Sequence, residues 1–495
     1  MSIPQGCCLH RYPHPSLPVH KLSRRSFLKT AALAAAARSL PAGSWAQVPG
    51  ANGDIRVAVA GLNSRGRNLV QDFRKVPGVR VVALCDVDTA VLARATKDFS
   101  ISDTTADFRD LLARSDIDAV AMATPNHWHS LQAIWACQAG KDIYLEKPVS
   151  HEIWEGRQTN AAIEKYRRIA QAGSQARSSP CIREAVAWVR AGNLGRITSA
   201  RGMCYKRRVS LGLTTGPQPV PSTVNYDLWL GPAPFEPPRR QHFHYDWHWF
   251  WATGNGDVAN QGLHQMDVAR WFLGEGAIAP HAFAVGGRLG YVDDGQTPNT
   301  LAVVHDYPSA PLIFEVRGLP AKAGANQMDK FRGMEIGVVV TCEGGSLTVP
   351  VSYTSVQAYD NSGTLVKEFK GDASHAANFI DAVRSRRTSD LHIPVAESHV
   401  SSCLSHVANI SYRLGKATPP DELRERIQGQ PPLAEAVGRM LDHLAANNVD
   451  LGKTPPTYGY PLQTDPVEQR FIGNDAANAM LTREYRVPYV VPAIV

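Results

Sequence analysis

Ile55-Arg-Val-Ala-Val-Ala60 followed at once by Gly61-Leu-Asn-Ser-Arg-Gly66 decides the fold of this chain. A short apolar run bounded by a glycine turn reads as a buried parallel strand, and the pattern of Asn68 to Lys75 after it as a helix. Val79-Arg-Val-Val-Ala-Leu84 then repeats the strand and ends at Asp86, 25 positions after Gly61. Asp118 to Ala123 is a third strand, and Thr124-Pro125-Asn126-His127 follows it. A helix over Ser130 to Ala139 leads to the strand Asp142-Ile-Tyr-Leu145, which delivers Glu146-Lys147-Pro148. Strands alternating with helices predict a parallel sheet with right-handed crossovers. In such a sheet ligands bind at the carboxyl ends of the strands, where both the glycine turn and Lys147 fall.

Beyond Gln175 the pattern changes. Helical spacing over Arg183 to Ala191 and a strand over Gly195 to Tyr205 precede a loop, 211–240, rich in Pro, Gly and Thr. The densest aromatic cluster comes next, Phe243-His-Tyr-Asp-Trp-His-Trp-Phe-Trp251, and then a helix expected over Asp257 to Phe272. Strands at 283–289, 301–307, 312–317, 334–341 and 346–349 suit a mostly antiparallel sheet. Helices follow at 379–386, 399–414 and 433–446. The fold expected is α/β: a Rossmann domain over residues 54–176 and a C-terminal α/β domain over 177–495 with an open, mostly antiparallel sheet.

Residues 1–46 read as a separate leader. Ser23-Arg24-Arg25-Ser26-Phe27-Leu28-Lys29 precedes a short alanine-rich run, and Ser44-Trp45-Ala46 offers small residues for cleavage. This is the pattern of a twin-arginine signal peptide, too short in its apolar part for a membrane span, and it predicts a periplasmic or exported protein with no membrane anchor after cleavage. The leader also accounts for the charge. The chain is +7 overall, and the leader holds six basic residues and no acidic one, so the remainder is near neutral. Nothing in it predicts nucleic-acid binding. Cys85, Cys137, Cys181, Cys204, Cys342 and Cys403 are scattered without metal-type spacing and read as buried thiols. His242, His244 and His248 have ligand-like spacing, but no cysteine or acidic pair completes it, so no metal is expected.

Gly61 allows the tight turn and Gly66 close helix–strand packing, while Asn63 tolerates left-handed geometry at the usual middle glycine. Ser64 and Arg65 add donors for phosphates at the helix N-terminus. Asp86 accepts hydrogen bonds from a ribose diol and repels a 2′-phosphate, favouring NAD over NADP, although Arg65 leaves room for NADP. With Asn260 and His264 one turn apart on the expected helix, His264 can take a hydroxyl proton as hydride leaves, and Lys147 can hydrogen-bond the same oxygen. Aromatic rings suit the apolar faces of sugars, and their hydroxyls need polar partners. Tyr205, Arg207, Trp247, His248 and Asp267 are the candidate substrate contacts.

Gly61-x-Asn63-x-x-Gly66, Ala123-Thr-Pro-Asn-His127 and Glu146-Lys147-Pro148 together resemble the Gfo/Idh/MocA family, the glucose–fructose oxidoreductase and inositol dehydrogenase group. The resemblance covers about residues 54 to 490, and the segments 256–264 and 406–415 look like an exported bacterial branch. It implies NAD(P)-dependent chemistry on sugars or cyclitols, a homo-oligomer contacting through the open sheet, and a cofactor site including Thr124, Pro125, Asn126, His127, Glu146 and Lys147. Lys147 falls on the family's catalytic lysine and His264 on its catalytic histidine. Asn260 stands where relatives often carry Asp, which lowers the proton affinity expected of His264. The functions expected are hydride transfer from a carbohydrate or cyclitol hydroxyl with a tightly held, recycled cofactor, a redox-neutral NAD-dependent glycosidase or epimerase, or a non-catalytic sugar binder.

Overall fold

A computed structural model describes residues 53–495. The expected leader over residues 1–46 lies outside them. Six parallel strands form the first sheet: β1 (Ile55–Ala60), β2 (Val79–Cys85), β3 (Thr104–Thr105), β4 (Ala119–Met122), β5 (Asp142–Leu145) and β6 (Ala170–Ala172), in the order β3-β2-β1-β4-β5-β6. The strand order reverses direction at β1, which opens a crevice at its carboxyl end.

The glycine turn sits there. Gly61 has φ 81°, and a Cβ on it would lie 2.5 Å from the Ala123 carbonyl oxygen. A Cβ on Gly66 would lie 1.8 Å from the Gly61 oxygen, so helix α1 (Arg65–Arg74) lies against the turn because residue 66 has no side chain. Asn63 is not among the residues with positive φ. The left-handed geometry expected of it is absent, because Gly61 alone reverses the chain.

The core of this first unit draws on residues far beyond Gln175. Phe73 on α1 and Tyr144 on β5 meet edge-on at 5.6 Å, and Phe379 stands edge-on to both, at 6.1 and 5.9 Å. Phe379 lies on helix α2 (His375–Ser385), which buries Ile380 and Val383 in the same cluster as Val57, Val59 and Leu69. At the chain's end, Tyr489 and Val491 pack with Trp128 and Ile134 on the other side of the sheet.

The second sheet runs β14-β13-β12-β11-β7-β10-β9-β8, with four short strands beyond β8. Its centre is β7 (Ile197–Tyr205), parallel to β10 (Leu312–Arg317) and antiparallel to β11 (Ile336–Cys342). The remaining neighbours are β8 (His281–Gly287), β9 (Thr300–Asp306), β12 (Gly345–Pro350), β13 (Ser355–Asp360) and β14 (Leu365–Lys370), all paired antiparallel. The sequence reading missed β13 and β14, whose burial does not follow a full alternation; β14 buries Phe369 alone.

One expected helix is two. Helix α3 (Gly256–Ala259) closes with the Asn260 amide donating to the Gly256 oxygen at 2.9 Å. Helix α4 (Gly262–Leu273) then starts afresh. A Cβ on Gly262 would meet Phe314 of β10 at 2.2 Å, so the new helix begins where a bare backbone presses on the sheet. Among the described residues no helix is long and apolar enough to cross a membrane.

Phe379 is fully buried and belongs to the first unit's core although it comes from the far end of the chain. Phe379→Ala should lower stability by about 3–5 kcal/mol, read as a lower denaturation midpoint. A change below ~1 kcal/mol would show that α2 is dispensable to that core.

Candidate functional site

A cleft of about 680 Å³ lies at the carboxyl ends of β1, β2, β4 and β5. Gly61, Asn63, Ser64 and Arg65 line it from the glycine turn, Asp86 from the end of β2, and Thr124, Pro125 and Asn126 from the loop after β4. Glu146 and Lys147 enter after β5, and Trp247, His248, Asn260 and His264 face them from the second unit. Residues separated by two hundred positions therefore share one wall-to-wall site.

Asp86 anchors the turn. One of its carboxylate oxygens accepts the Leu62 amide at 2.7 Å and the other the Asp88 amide at 3.0 Å. Burial raises its carboxyl above the usual carboxylate range, with these two amides opposing the rise only in part. Each oxygen keeps a lone pair for a further donor. Beside Asp86 a narrow side pocket continues the cleft, walled by Val87, Phe108, Trp128, Trp135, Leu228 and Trp229. A flat aromatic base fits between such walls, with its ribose on Asp86. The Arg67 amide is taken by the Ser64 oxygen at 3.0 Å, and the Arg65 and Gly66 amides at the start of α1 suit a pyrophosphate. The residues present therefore fit a dinucleotide.

Glu146 is held from three sides. Arg65 Nε donates to it at 2.8 Å and Gln175 Nε2 at 3.2 Å, and a Cβ on Gly173 would come within 2.5 Å of its carboxyl group. Arg65 is thus committed to an ion pair with a carboxylate only 7% exposed, which limits its reach toward a phosphate. Next in the chain, Lys147 donates from Nζ to the backbone oxygen of Asn260. Burial draws the Lys147 pKa down to about 8, with Arg65 and Lys206 adding to the fall and Glu146 and Asp257 opposing it. Asp257 is itself gripped by Arg208, whose Nε stands 2.7 Å and Nη2 2.5 Å from its two oxygens.

His264 lies in the first turn of α4. Its Nδ1 is buried and has no hydrogen-bond partner among the described residues. Burial pulls its pKa well below the usual histidine value, and Lys147 and Arg65 pull the same way. His248 stacks on Trp247 with ring centroids 3.7 Å apart, and its Nδ1 lies 2.6 Å from the Tyr245 carbonyl oxygen. Burial lowers its pKa to about 3.

Five candidates lie outside the cleft. Tyr205 is fully buried, and its hydroxyl donates to Glu315 at 2.8 Å. It stands on the opposite face of β7 from Cys204, which packs under α4, because side chains alternate along a strand. Arg207 is exposed and donates to Asn326 at 3.4 Å. Asp267 is buried in an ion pair with Arg177, at 2.9 and 2.8 Å, and accepts from Ser401 at 2.6 Å. Three residues beyond His264, it turns toward the helix Val395–Arg413 instead of the cleft. His127 points at the carbonyls of Trp229 (3.0 Å) and Thr253 (3.2 Å). Gly66 packs under the turn.

The break between α3 and α4 also corrects the expected pairing of Asn260 with His264 on one helical face. Asn260 meets Lys147 through its backbone oxygen. Three lining residues escaped the sequence reading: His129, Gln175 and Trp229. His129 joins two cleft loops, its ring nitrogens standing 2.6 Å from the Pro148 oxygen and 2.8 Å from the Thr124 oxygen. The sequence His127-Trp-His129 was its only signal.

Comparison with known proteins agrees with this geometry. Residues 55–174 match an oxidoreductase family's NAD-binding Rossmann fold, and residues 191–296 match an oxidoreductase family C-terminal alpha/beta domain. Glycosyl hydrolase family 109 protein 2 of Shewanella sp. (strain ANA-3) is 36% identical over 163 residues, 27% of this chain and 35% of that protein. A glycosyl hydrolase family 109 protein of Solibacter usitatus is 34% identical over 167 residues, 30% of this chain and 38% of its own length. The matched region spans little more than a third of these relatives. Among solved structures, levoglucosan dehydrogenase in complex with NADH and levoglucosan superposes with a TM-score of 0.54 at 17% identity, covering 71% of this chain and 95% of its own. The WlbA dehydrogenase from Chromobacterium violaceum, with NADH and UDP-GlcNAcA, gives 0.54 at 18% identity over 73% and 95%. At such identities the likeness is one of fold.

Asp86 lies where the glycine turn meets the side pocket and can receive a ribose diol. Replacing it with alanine removes a charged acceptor, so NADH should bind roughly 10- to 100-fold more weakly, measured by quenching of protein fluorescence. Undiminished affinity would place the ribose elsewhere.

Proposed function

The chain belongs to the Gfo/Idh/MocA oxidoreductase family, and from that premise we propose that it moves hydride between NAD and a hydroxyl-bearing carbon of a carbohydrate or cyclitol. The observation that carries this reading is the meeting of Lys147, His264 and His248 in one cleft with the glycine turn and Asp86. When bound, NAD supplies a nicotinamide ring that accepts or returns hydride. The chain's own residues orient the substrate and manage its proton. Lys147, with a pKa of about 8, is partly neutral near pH 7 and can take the hydroxyl proton. The aromatic wall of Trp247 and Tyr245 suits the C–H face of a sugar ring.

A second reading, a redox-neutral glycosidase or epimerase, has support of its own. The segment after β7 closes over the ribose end of the cofactor site: the Thr89 amide donates to the Thr223 oxygen at 2.9 Å, the Asn225 amide to the Val87 oxygen at 3.0 Å, and His244 Nε2 lies 2.7 Å from Asp88. A cofactor held under such a cover suits a cycle in which the sugar is oxidised, altered and reduced again without exchange. The glycosyl hydrolase names of the curated relatives point the same way. We propose further that the chain folds around its cofactor and leaves the cytoplasm by the twin-arginine route, and that it works as a homo-oligomer.

The purified protein, incubated with glycosides and free sugars with and without added NAD, separates these readings. Turnover that needs added NAD supports net oxidation; turnover without it supports the redox-neutral cycle; neither, in a protein that binds sugar, leaves a binder. Oxidation requires the neutral amine of Lys147, so its rate should rise with pH through about 8 and level off above, while the reverse reduction should fall over the same range. Lys147→Ala should abolish turnover and leave NADH binding intact. Full activity in that variant would remove Lys147 from the reaction.

A further inference from the structure

We propose that His264 and His248 form a fixed donor–acceptor pair that reads a vicinal diol: His264 gives an Nε2–H to the reacting oxygen, His248 accepts the neighbouring hydroxyl at a bare Nε2, and Lys147 takes the proton. This rests on the hydroxyl-oxidation reading above and assigns its acid–base roles.

His248 is the simpler case. A carbonyl oxygen can only accept, so the 2.6 Å contact to Tyr245 requires the proton on His248 Nδ1. The ring is neutral, since burial and the nearby Lys147 and Arg208 all oppose a charge. Its Nε2 therefore carries a lone pair, and the stacked Trp247, 21° from parallel, fixes the plane in which that lone pair points.

His264 is set the other way. A proton on its buried Nδ1 would be a donor without an acceptor among the described residues. A bare nitrogen there is better tolerated than an orphaned N–H, which places the proton on Nε2. Converting His264 to imidazolium would put a proton on Nδ1 as well and set a charge among Lys147, Arg65, Lys206 and His375. His264 is thus a neutral donor that polarises the oxygen, and it is ill suited to be the base.

Lys147 remains. As the carbonyl forms, the O–H bond breaks and its proton joins the Lys147 amine, while the C–H hydride leaves to NAD. The Asn260 backbone oxygen holds the amine on one side and stays hydrogen-bonded to the ammonium that results. The two histidines keep their protons throughout. One donor and one acceptor lining the same cleft suit two adjacent hydroxyls, one losing its proton to Lys147 and one donating to His248.

The tautomers can be read without any substrate. In the full-length protein labelled with 15N-histidine, long-range 1H–15N spectra distinguish Nδ1–H, Nε2–H and imidazolium rings. His264→Gln and His248→Gln identify the two signals. We expect His264 as Nε2–H and His248 as Nδ1–H, with neither titrating between pH 5 and 9. An imidazolium at either position in that range, or the same tautomer at both, overturns the assignment. Turnover gives a second measure. Glutamine keeps an N–H donor but cannot accept a proton, so His264→Gln should retain more activity than His264→Ala, whose loss should approach ~100-fold; equal losses would make His264 the base. A substrate lacking the neighbouring hydroxyl should react poorly with the natural protein and lose little more in His248→Ala. If no sugar is turned over, the oxidation reading fails, and the spectra still decide the tautomers.

Discussion

The Arg65–Glu146 ion pair is the constraint on which the site depends. Arg65 opens α1 at the glycine turn, and Glu146 closes β5 one residue before Lys147. Their 2.8 Å contact joins the cofactor-binding turn to the strand that carries the lysine. A buried carboxylate needs such a partner, because burial without one costs several kcal/mol. Gly173, having no side chain, leaves the space that the Glu146 carboxylate occupies. The Lys147 backbone is therefore fixed relative to the phosphate turn by a salt bridge, not by the strand alone.

Lys147 shows what that placement does. The ammonium sits among Arg65, Lys206 and the neutral ring of His264, with Glu146 its main counter-charge and Asp257 the next. Arg65 already takes up Glu146, and Arg208 takes up Asp257 in a two-point grip. The carboxylates that would stabilise a charged lysine are thus shared with arginines, which have much higher proton affinity. With burial disfavouring the ammonium in the first place, the amine is left close to balance between its two protonation states. A lysine free in solution would be charged at neutral pH and of little use as a base.

The four central strands of the first sheet were legible in the sequence, because a buried parallel strand is a continuous apolar run and a glycine turn has few alternatives, whereas β3 and β6, two and three residues long, were not. So was the gathering of Gly61, Asp86 and Lys147, since each lies at a strand's carboxyl end. What escaped reading was set by tertiary packing. Tyr205 looked like a cleft residue, yet strand alternation turns it to Glu315, and only knowledge of which face α4 covers decides that. Asp267 looked like a substrate contact, yet Arg177, ninety positions earlier, claims it. Phe379 gave no sign that it completes a core begun at Val57.

The departure at Asn260 follows the same logic. From sequence, asparagine in place of aspartate reads as a missing charge on a helical face. The chain breaks its helix there, because Gly262 must lie against Phe314, and the break turns the Asn260 carbonyl toward Lys147. What residue 260 contributes at this point is a backbone oxygen, which any side chain would leave in place. A carboxylate at 260 would add a negative charge near both His264 and Lys147, raising the proton affinity of each. With asparagine the histidine stays neutral and the lysine stays near pH 8. The substitution thus leaves proton transfer with the lysine and hydrogen-bond donation with the histidine.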